Sequence, residues 1–458
     1  MADETPLPAP VSDPVPDPVS APEAAPARRS PWAWIPTTYV AEGLPYFAVN
    51  TLTVLMYTNL GVSKAEMAFF TGWLYLPWVI KPFWSPIVDL FRTKRWWTLV
   101  MQLSIAVTMA AVALLLILPG FFATTLIAFW LMAFFSATHD IAADGYYMLA
   151  LDKREQAAYV GLRSTFYRIA SVIGQGGLVI LAGQLEQSTG NVPLAWAVTF
   201  AGLSILFLLI FLWHSMMMPR SAVDKPLPGV TTKTIAEDFG HTFVTFFRKP
   251  HILAAIAFML LYRLPEAFCL KLVQPFLIDA RIDGGLGLTT SEVGIVNGTV
   301  GVIALLAGGI VGGVAIAAGG LRKWLWPMAL SHTLTCGVYC LLALLQPDNF
   351  FLISSAVAVE QFGYGFGFTA FMMYLMYFSR GESQTSHYAF CTAFMALGMM
   401  IPGMAAGWVY ERLCPPMHPE WSASSPGYLY FFLFVMATTL ATFAVVAAVR
   451  ARLPRSEE

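Results

Sequence analysis

The chemistry in this sequence is carried by a few ionisable side chains set inside long apolar runs. The densest group is His139-Asp140-Ile-Ala-Ala-Asp144-Gly-Tyr146-Tyr147. Asp140, Asp144 and Tyr147 are spaced i, i+4, i+7 and share one helical face. Two carboxylates this close in a low-dielectric setting repel when both are ionised, which makes them candidates for holding and releasing a proton. The other reading is a structural ion pair with Arg168, which lies in a polar stripe of Ser164, Arg168, Ser171 and Gln175 at about the depth of Asp140. A pair that breaks and reforms couples a proton to a conformation, so both readings stand. Arg163 points away from that stripe. Glu42 and Glu360 are further acidic residues inside apolar runs, and Arg263 with Glu266 is an i, i+3 pair with Lys271 beyond it. Arg263 and Glu266 can neutralise one another, or the arginine fork can hold an anionic substrate. Lys81, in Lys81-Pro-Phe-Trp84-Ser-Pro86-Ile-Val-Asp89, either snorkels to a membrane interface or serves an interior site. His332 and His387 are lone histidines, read as packed. The five cysteines lack metal spacing, and Cys336 and Cys340 share a helix face as packing residues. No nucleophile–base pair or metal set emerges, so neither an enzyme nor a bound cofactor is expected.

The elements that hold these residues are set by hydrophobicity. The chain is 458 residues long, 57% hydrophobic and 12% charged, where a soluble domain carries about 25% charged residues. No Asp, Glu, Lys or Arg occurs from Trp96 to Thr138 or from Val293 to Leu321. Each window exceeds the ~20 residues that cross a bilayer as a helix. Twelve spans are read: 32–59, 66–90, 96–118, 121–150, 159–185 and 193–217, then 251–279, 292–317, 324–346, 350–379, 386–411 and 426–449. Residues 1–30, rich in Pro, Ala and acidic residues, read as a disordered cytoplasmic tail, and 450–458 as a second tail. The first set falls in a bundle over 31–217 and the second in a bundle over 251–449. The polar linker 218–250 between them holds an amphipathic stretch, Thr234 to Phe247. With the N-terminus inside, 18 of the 26 Lys and Arg lie in inside segments and 3 outside, with 5 in spans, so both termini are expected in the cytoplasm. No basic patch interleaved with aromatics suggests nucleic acid as a partner.

The halves repeat. Gly61-Val-Ser63-Lys-Ala-Glu66 before the second span matches Gly287-Leu-Thr289-Thr-Ser-Glu292 before the eighth, each a helix start with a capping box. Leu44-Pro45 recurs as Leu264-Pro265, and the basic turn Arg92, Lys94, Arg95, Trp96 as Arg322, Lys323, Trp324. Acidic residues lie well inside the first, fourth, seventh and tenth spans, where a charge near the bilayer centre costs roughly 2.5–3.5 kcal/mol on insertion scales. The third, sixth, ninth and twelfth hold only His214 and His332 among ionisable groups of this kind. Two six-helix halves in one orientation resemble the all-α major facilitator superfamily fold, in which the first helix of each three-helix unit lines a central cavity.

The motifs are similar to those of the AmpG muropeptide permease branch of that superfamily, which itself resembles the acetyl-coenzyme A transporters. They are Lys81 to Asp89; Asp140-Ile-Ala-Ala-Asp144; Leu261-Tyr262-Arg263 with Glu266-Ala267 and Ser291-Glu292-Val293-Gly294-Ile295-Val296-Asn297; and Glu360 through Gly363, Gly365 and Gly367 to Ala370-Phe371, joined by Gly407-Trp408 and Glu411. His139 departs from the amide usual before the first aspartate. The resemblance implies a bacterial inner-membrane protein, expected to be a monomer, that imports anhydromuropeptides or related amino-sugar conjugates with protons by alternating access. Proton coupling would then fall to Asp140, Asp144, Glu42 and Glu360, and substrate binding to Arg168, Arg263, Glu266, Lys271, Tyr147 and Lys81. Asp89, Arg92 and Arg95 would form a cytoplasmic latch. An acyl-coenzyme A carrier and a transport-dead sensor are the alternatives.

Overall fold

The computed structural model describes residues 29–221, 224–225, 232–381, 384–413 and 428–453. Most of the expected N-terminal tail, the end of the C-terminal one and Cys414 lie outside the described residues. The helices group into twelve rods and a surface helix: α1 (35–59), α2 (64–90), α3 (Lys94–Leu115), α4 (Phe121–Ala150), α5 (153–189), α6 (Val192–Met217), the surface α7 (Thr232–Phe247), α8 (252–278), α9 (290–319), α10 (321–345), α11 (Phe350–Ser379), α12 (Gln384–Leu413) and α13 (Leu429–Arg450). Gly320, at φ 70° and ψ 160°, breaks the run between α9 and α10, a conformation that glycine adopts without a Cβ clash.

The repeated sequence signals become repeated local structure. Ser63 accepts from the Glu66 amide at the start of α2, and Thr289 forms a full capping box with Glu292 at the start of α9. The two Leu-Pro pairs act differently. Pro45 sits inside α1, where its missing N–H leaves the Ala41 carbonyl without its helical donor, just ahead of a π-helical turn, Ala48–Leu52. Pro265 instead occupies the first turn of a fresh helical segment, after a break at Tyr262 and Arg263.

By length and composition alone, eight stretches among the described residues are apolar enough to cross a membrane, and one of them, Thr290–Leu345, contains both α9 and α10. The rods that miss this criterion are α1, α2 and α11, which carry Glu42, Lys81 and Glu360. Their polarity has a use in the interior. Around the outside, Leu253, Phe351, Leu440 and Ile310 are 80%, 79%, 70% and 68% exposed. Apolar exposure spread over every side is the surface of a protein whose solvent is lipid.

Within the first set, α3 packs on α4 and α6, and α1 on α5; within the second, α9 packs closely on α11. The two sets meet where α2 packs on α12 and α5 on α9. These contacts lie at one end of the molecule. A Cβ on Gly298 of α9 would stand 1.9 Å from the Gln175 carbonyl oxygen of α5, so the backbones touch. Lys64 pairs with Asp279 at 2.7 Å, and the Tyr428 hydroxyl donates to the same carboxylate at 2.6 Å. Glu411 of α12 accepts from the Ala65 amide of α2 at 3.1 Å. Glu186 of α5 accepts from Asn59 Nδ2 at 2.8 Å, Trp196 Nε1 at 2.7 Å and Thr290 Oγ1 at 2.5 Å, a knot that ties α1, α6 and α9.

Candidate functional site

Below that closed end a cavity of about 680 Å3 lies between the sets. It draws Glu42, Tyr46 and Asn50 from α1, Tyr75, Trp78 and Lys81 from α2, Asp140 from α4, Tyr167 and Gln175 from α5, Arg263 and Glu266 from α8, Tyr339 from α10, and Glu360 and Tyr364 from α11. A space of this size with convergent polar groups on aromatic walls is the candidate site of this molecule.

The carboxylates have unequal surroundings. Asp140 accepts from Trp78 Nε1 at 3.1 Å and stands 4.0 Å from Lys81 Nζ, while its second oxygen, Oδ1, is buried without a hydrogen-bond partner. Glu42 Oε2 is likewise buried without a partner. Glu360, 4% exposed, accepts on one oxygen from the Tyr339 hydroxyl and from Gln361 Nε2, both at 2.9 Å, so its hydrogen-bond donors are neutral. Glu266 takes the Arg263 fork through Nε at 2.8 Å and Nη2 at 2.5 Å, and Arg263 also donates to the Tyr364 hydroxyl at 3.1 Å. The guanidinium lies 4.8 Å from the Phe368 ring, so this cation is held on both faces of its chemistry, by charge and by π-density.

Asp144 departs from the expected arrangement. Its side chain is 42% exposed and outside the cavity lining; it pairs with Arg163 and accepts from the Tyr39 hydroxyl at 3.2 Å. Arg163 is sandwiched, its guanidinium 4.6 Å from both the Tyr39 and Tyr147 rings. Arg168, expected beside Asp140, is exposed and does not line the cavity. The reason is geometric. Counted outward from the turn at Leu151 and Asp152, it is Arg163 that matches the level of Asp140, and five residues further along a helix turns Arg168 well away from it. Tyr147 meets Arg163 through its ring while its hydroxyl donates to the Gln156 carbonyl at 2.5 Å. Lys271, 2% exposed, lies outside the cavity lining, donating to Thr71 Oγ1 of α2 at 3.0 Å with Tyr75 5.5 Å away.

Residues 37–401 match the Major Facilitator Superfamily. The chain belongs to that superfamily. It is thus a multi-pass membrane transporter, and an anhydromuropeptide permease of Escherichia coli strain K12 is 25% identical to it over 408 residues, 87% of this chain and 76% of that protein. A putative transporter AmpG 4 of Rickettsia conorii is 24% identical over 365 residues, 78% of this chain and 84% of the relative. Among solved structures, a bacterial homologue of the human lysosomal transporter Spinster, inward-facing and unoccupied, has a TM-score of 0.68 at 13% identity, covering 92% of this chain and 94% of the other. A D-xylose–proton symporter has a TM-score of 0.68 at 11% identity over 90% and 95% of the two chains. These solved structures establish the fold, and within the superfamily the chain is similar to the AmpG-like relatives at about a quarter identity.

Only part of the expected latch falls on described side chains. The Asp89 side chain lies outside the described residues. Arg92, at φ 64°, is exposed 5.8 Å from the Trp96 ring. Arg95 donates to the Ser215 and Met218 carbonyls at 2.6 and 2.9 Å, capping the end of α6 within its own half. Among the described residues Asp224 meets this turn, accepting from the Lys94 and Arg95 amides at 2.7 and 3.0 Å and so capping the start of α3. Asp224 escaped sequence reasoning because it is remote in sequence, as did Tyr39, Trp78, Tyr339 and Tyr364. For those aromatics the available signal was their recurrence in the rods that also carry carboxylates.

Proposed function

We propose that this transporter couples protons to the movement of a polar amino-sugar conjugate, an anhydromuropeptide or a close relative, by alternating access. The observation that carries the reading is the balance of charge in the cavity. Glu42, Asp140, Glu266 and Glu360 face it against Lys81 and Arg263, so carboxylates outnumber cations by two. Arg263 is already committed to Glu266, and Lys81 stands nearest Asp140. Glu42 and Glu360 are therefore the groups left to carry protons, since an ionised carboxylate without a cation is unfavourable away from water. The rings of Tyr46, Trp78, Tyr167 and Tyr364 offer flat apolar faces to sugar rings, and the carboxylates accept from hydroxyl and amide donors. The names of the relatives agree with this chemistry. An acyl-coenzyme A, as a polyanion, would meet surplus negative charge.

In this reading residues 31–217 and 251–449 rock against each other across the cavity, with 218–250 as the cytoplasmic linker and both termini in the cytoplasm. The closed end then faces the periplasm. Asp144 with Arg163 belongs to the coupling machinery on the cytoplasmic side, and Lys271 reaches solute only when α2 and α12 part. The test is uptake into energised vesicles from a panel of labelled muropeptides, amino sugars and coenzyme A esters, with and without a protonophore. Protonophore-sensitive uptake of an amino-sugar conjugate is expected. Exchange of a coenzyme A ester that survives collapse of the gradient would overturn the substrate class, and no flux of any solute would overturn transport coupling altogether.

A further inference from the structure

We infer that a second cavity, at the end of the second helical set where α8 begins and α11 and α13 finish, binds the phosphate headgroup of an anionic phospholipid. The cavity holds about 300 Å3 and stands apart from the central one, so the inference is independent of the transported solute. Lys249, His251, Arg380 and Arg452 line it together with Tyr374 and Tyr377, and no Asp or Glu among the described residues does. Among the described residues the basic side chains gathered here, Lys249 and Arg452 foremost, make a positive concavity that suits an anion.

Backbone geometry adds to the side chains. The first helical segment of α8, Ile252–Leu261, starts directly after His251, which sits in the left-handed region at φ 60° and supplies no side-chain cap. Ala254, in that first turn, lines the cavity. Amides of a first helical turn have no partner inside the helix and carry the positive end of its dipole, a ready-made anion site. Lys249 has a different task. Its Nζ donates to the Phe378 and Arg380 carbonyls at 2.7 and 2.8 Å, which offsets the negative end of α11 and fixes the rim. Among the described residues Arg452 gives one bond, from Nη1 to the Ala448 carbonyl at 2.5 Å, out of the several its fork can make.

A lipid is favoured as the source of the phosphate because of what borders the site. Leu253, next to Ala254, is 80% exposed, and Val244 and Phe247 on α7 are 44% and 38% exposed. These apolar positions flank a cluster of charges at the level where three membrane rods begin or end. Basic pockets between helices at the cytoplasmic boundary suit anionic headgroups, with acyl chains left on the apolar face.

The experiment is native mass spectrometry of the purified full-length protein in detergent, titrated with phosphatidylglycerol, cardiolipin or phosphatidylcholine, with and without millimolar inorganic phosphate. Anionic lipid should bind in preference to phosphatidylcholine. Arg452→Gln should weaken phosphatidylglycerol binding about five-fold, as removal of one basic group near a membrane surface does, and Arg452→Lys should restore most of it. If Arg452→Gln fails to fold, as judged by its elution profile and melting temperature, Arg380→Gln carries the same expectation. Equal retention of phosphatidylcholine, or unchanged phosphatidylglycerol affinity in a folded variant, overturns the site. Displacement of the lipid by inorganic phosphate overturns the lipid as occupant.

Discussion

Asp140 and Asp144 share a helical face, yet the fold gives them separate partners. Asp140 turns to the cavity with Trp78 and Lys81, whereas Asp144 turns to Arg163 between two tyrosine rings. If both ion pairs take part in coupling the protons on Glu42 and Glu360 to conformation, Asp140→Asn and Asp144→Asn should each cut protonophore-sensitive uptake by at least about ten-fold. Solute exchange across de-energised vesicles should continue in both. Unchanged energised uptake in both variants would remove these residues from the coupling scheme. Arg263 allows a finer test, because Lys keeps the charge but cannot reproduce the bidentate contact to Glu266. Arg263→Lys should therefore weaken solute binding several-fold in an equilibrium binding assay, with the protein still folded. Wild-type affinity would show that charge alone suffices.

At the scale of the helix, glycines separate stability from conformation. A Cβ on Gly365 of α11 would lie 2.0 Å from the Leu305 carbonyl oxygen of α9, and both rods belong to the same half. That contact has no reason to open during transport, so Gly365→Ala should act as overpacking and lower stability by about 1–3 kcal/mol, read as a drop in melting temperature in detergent. Gly298 faces Gln175 of the other half at similarly close range. Gly298→Ala should leave each half intact and disfavour the state with this end closed, visible as greater labelling of cysteines placed near residues 175 and 298. A lower melting temperature with unaltered labelling would contradict the assignment. Before the structure, glycines along α9 could be read only as points of close approach. Their neighbours show that Gly308 and Gly312 meet α11 while Gly313 meets nothing within 4 Å.

For the whole molecule, closure at one end rests on contacts between residues that are far apart in the chain. Lys64 reaches Asp279 and lies 5.3 and 5.8 Å from the Tyr410 and Tyr428 rings, while Glu411 caps α2 from the opposite half. Lys64→Asp should shift the population towards the state open at this end, and the reciprocal pair Lys64→Asp with Asp279→Lys should recover part of the closed population. Distances between spin labels on α2 and α12 measure the shift directly. Identical distance distributions in wild type and Lys64→Asp would mean that backbone packing alone holds the closure.

Hydropathy and charge placement were sufficient, from the sequence alone, for the twelve-rod fold and for which rods carry polar cargo, because a hydrocarbon solvent permits few alternatives for a chain this apolar. The repeated caps before α2 and α9 were readable for the same local reason, since a hydroxyl and a glutamate three residues apart interact within one turn. Which arginine meets which aspartate was only half readable. Counting from the turn at Leu151 and Asp152 puts Arg163 rather than Arg168 level with Asp140, but that Arg163 turns instead to Asp144 depends on how α4, α5 and α1 are packed. The same holds for Asp224 at the start of α3 and for Lys64 against Asp279: these partners are brought together by the folded bundle, where only three-dimensional proximity decides the pairing.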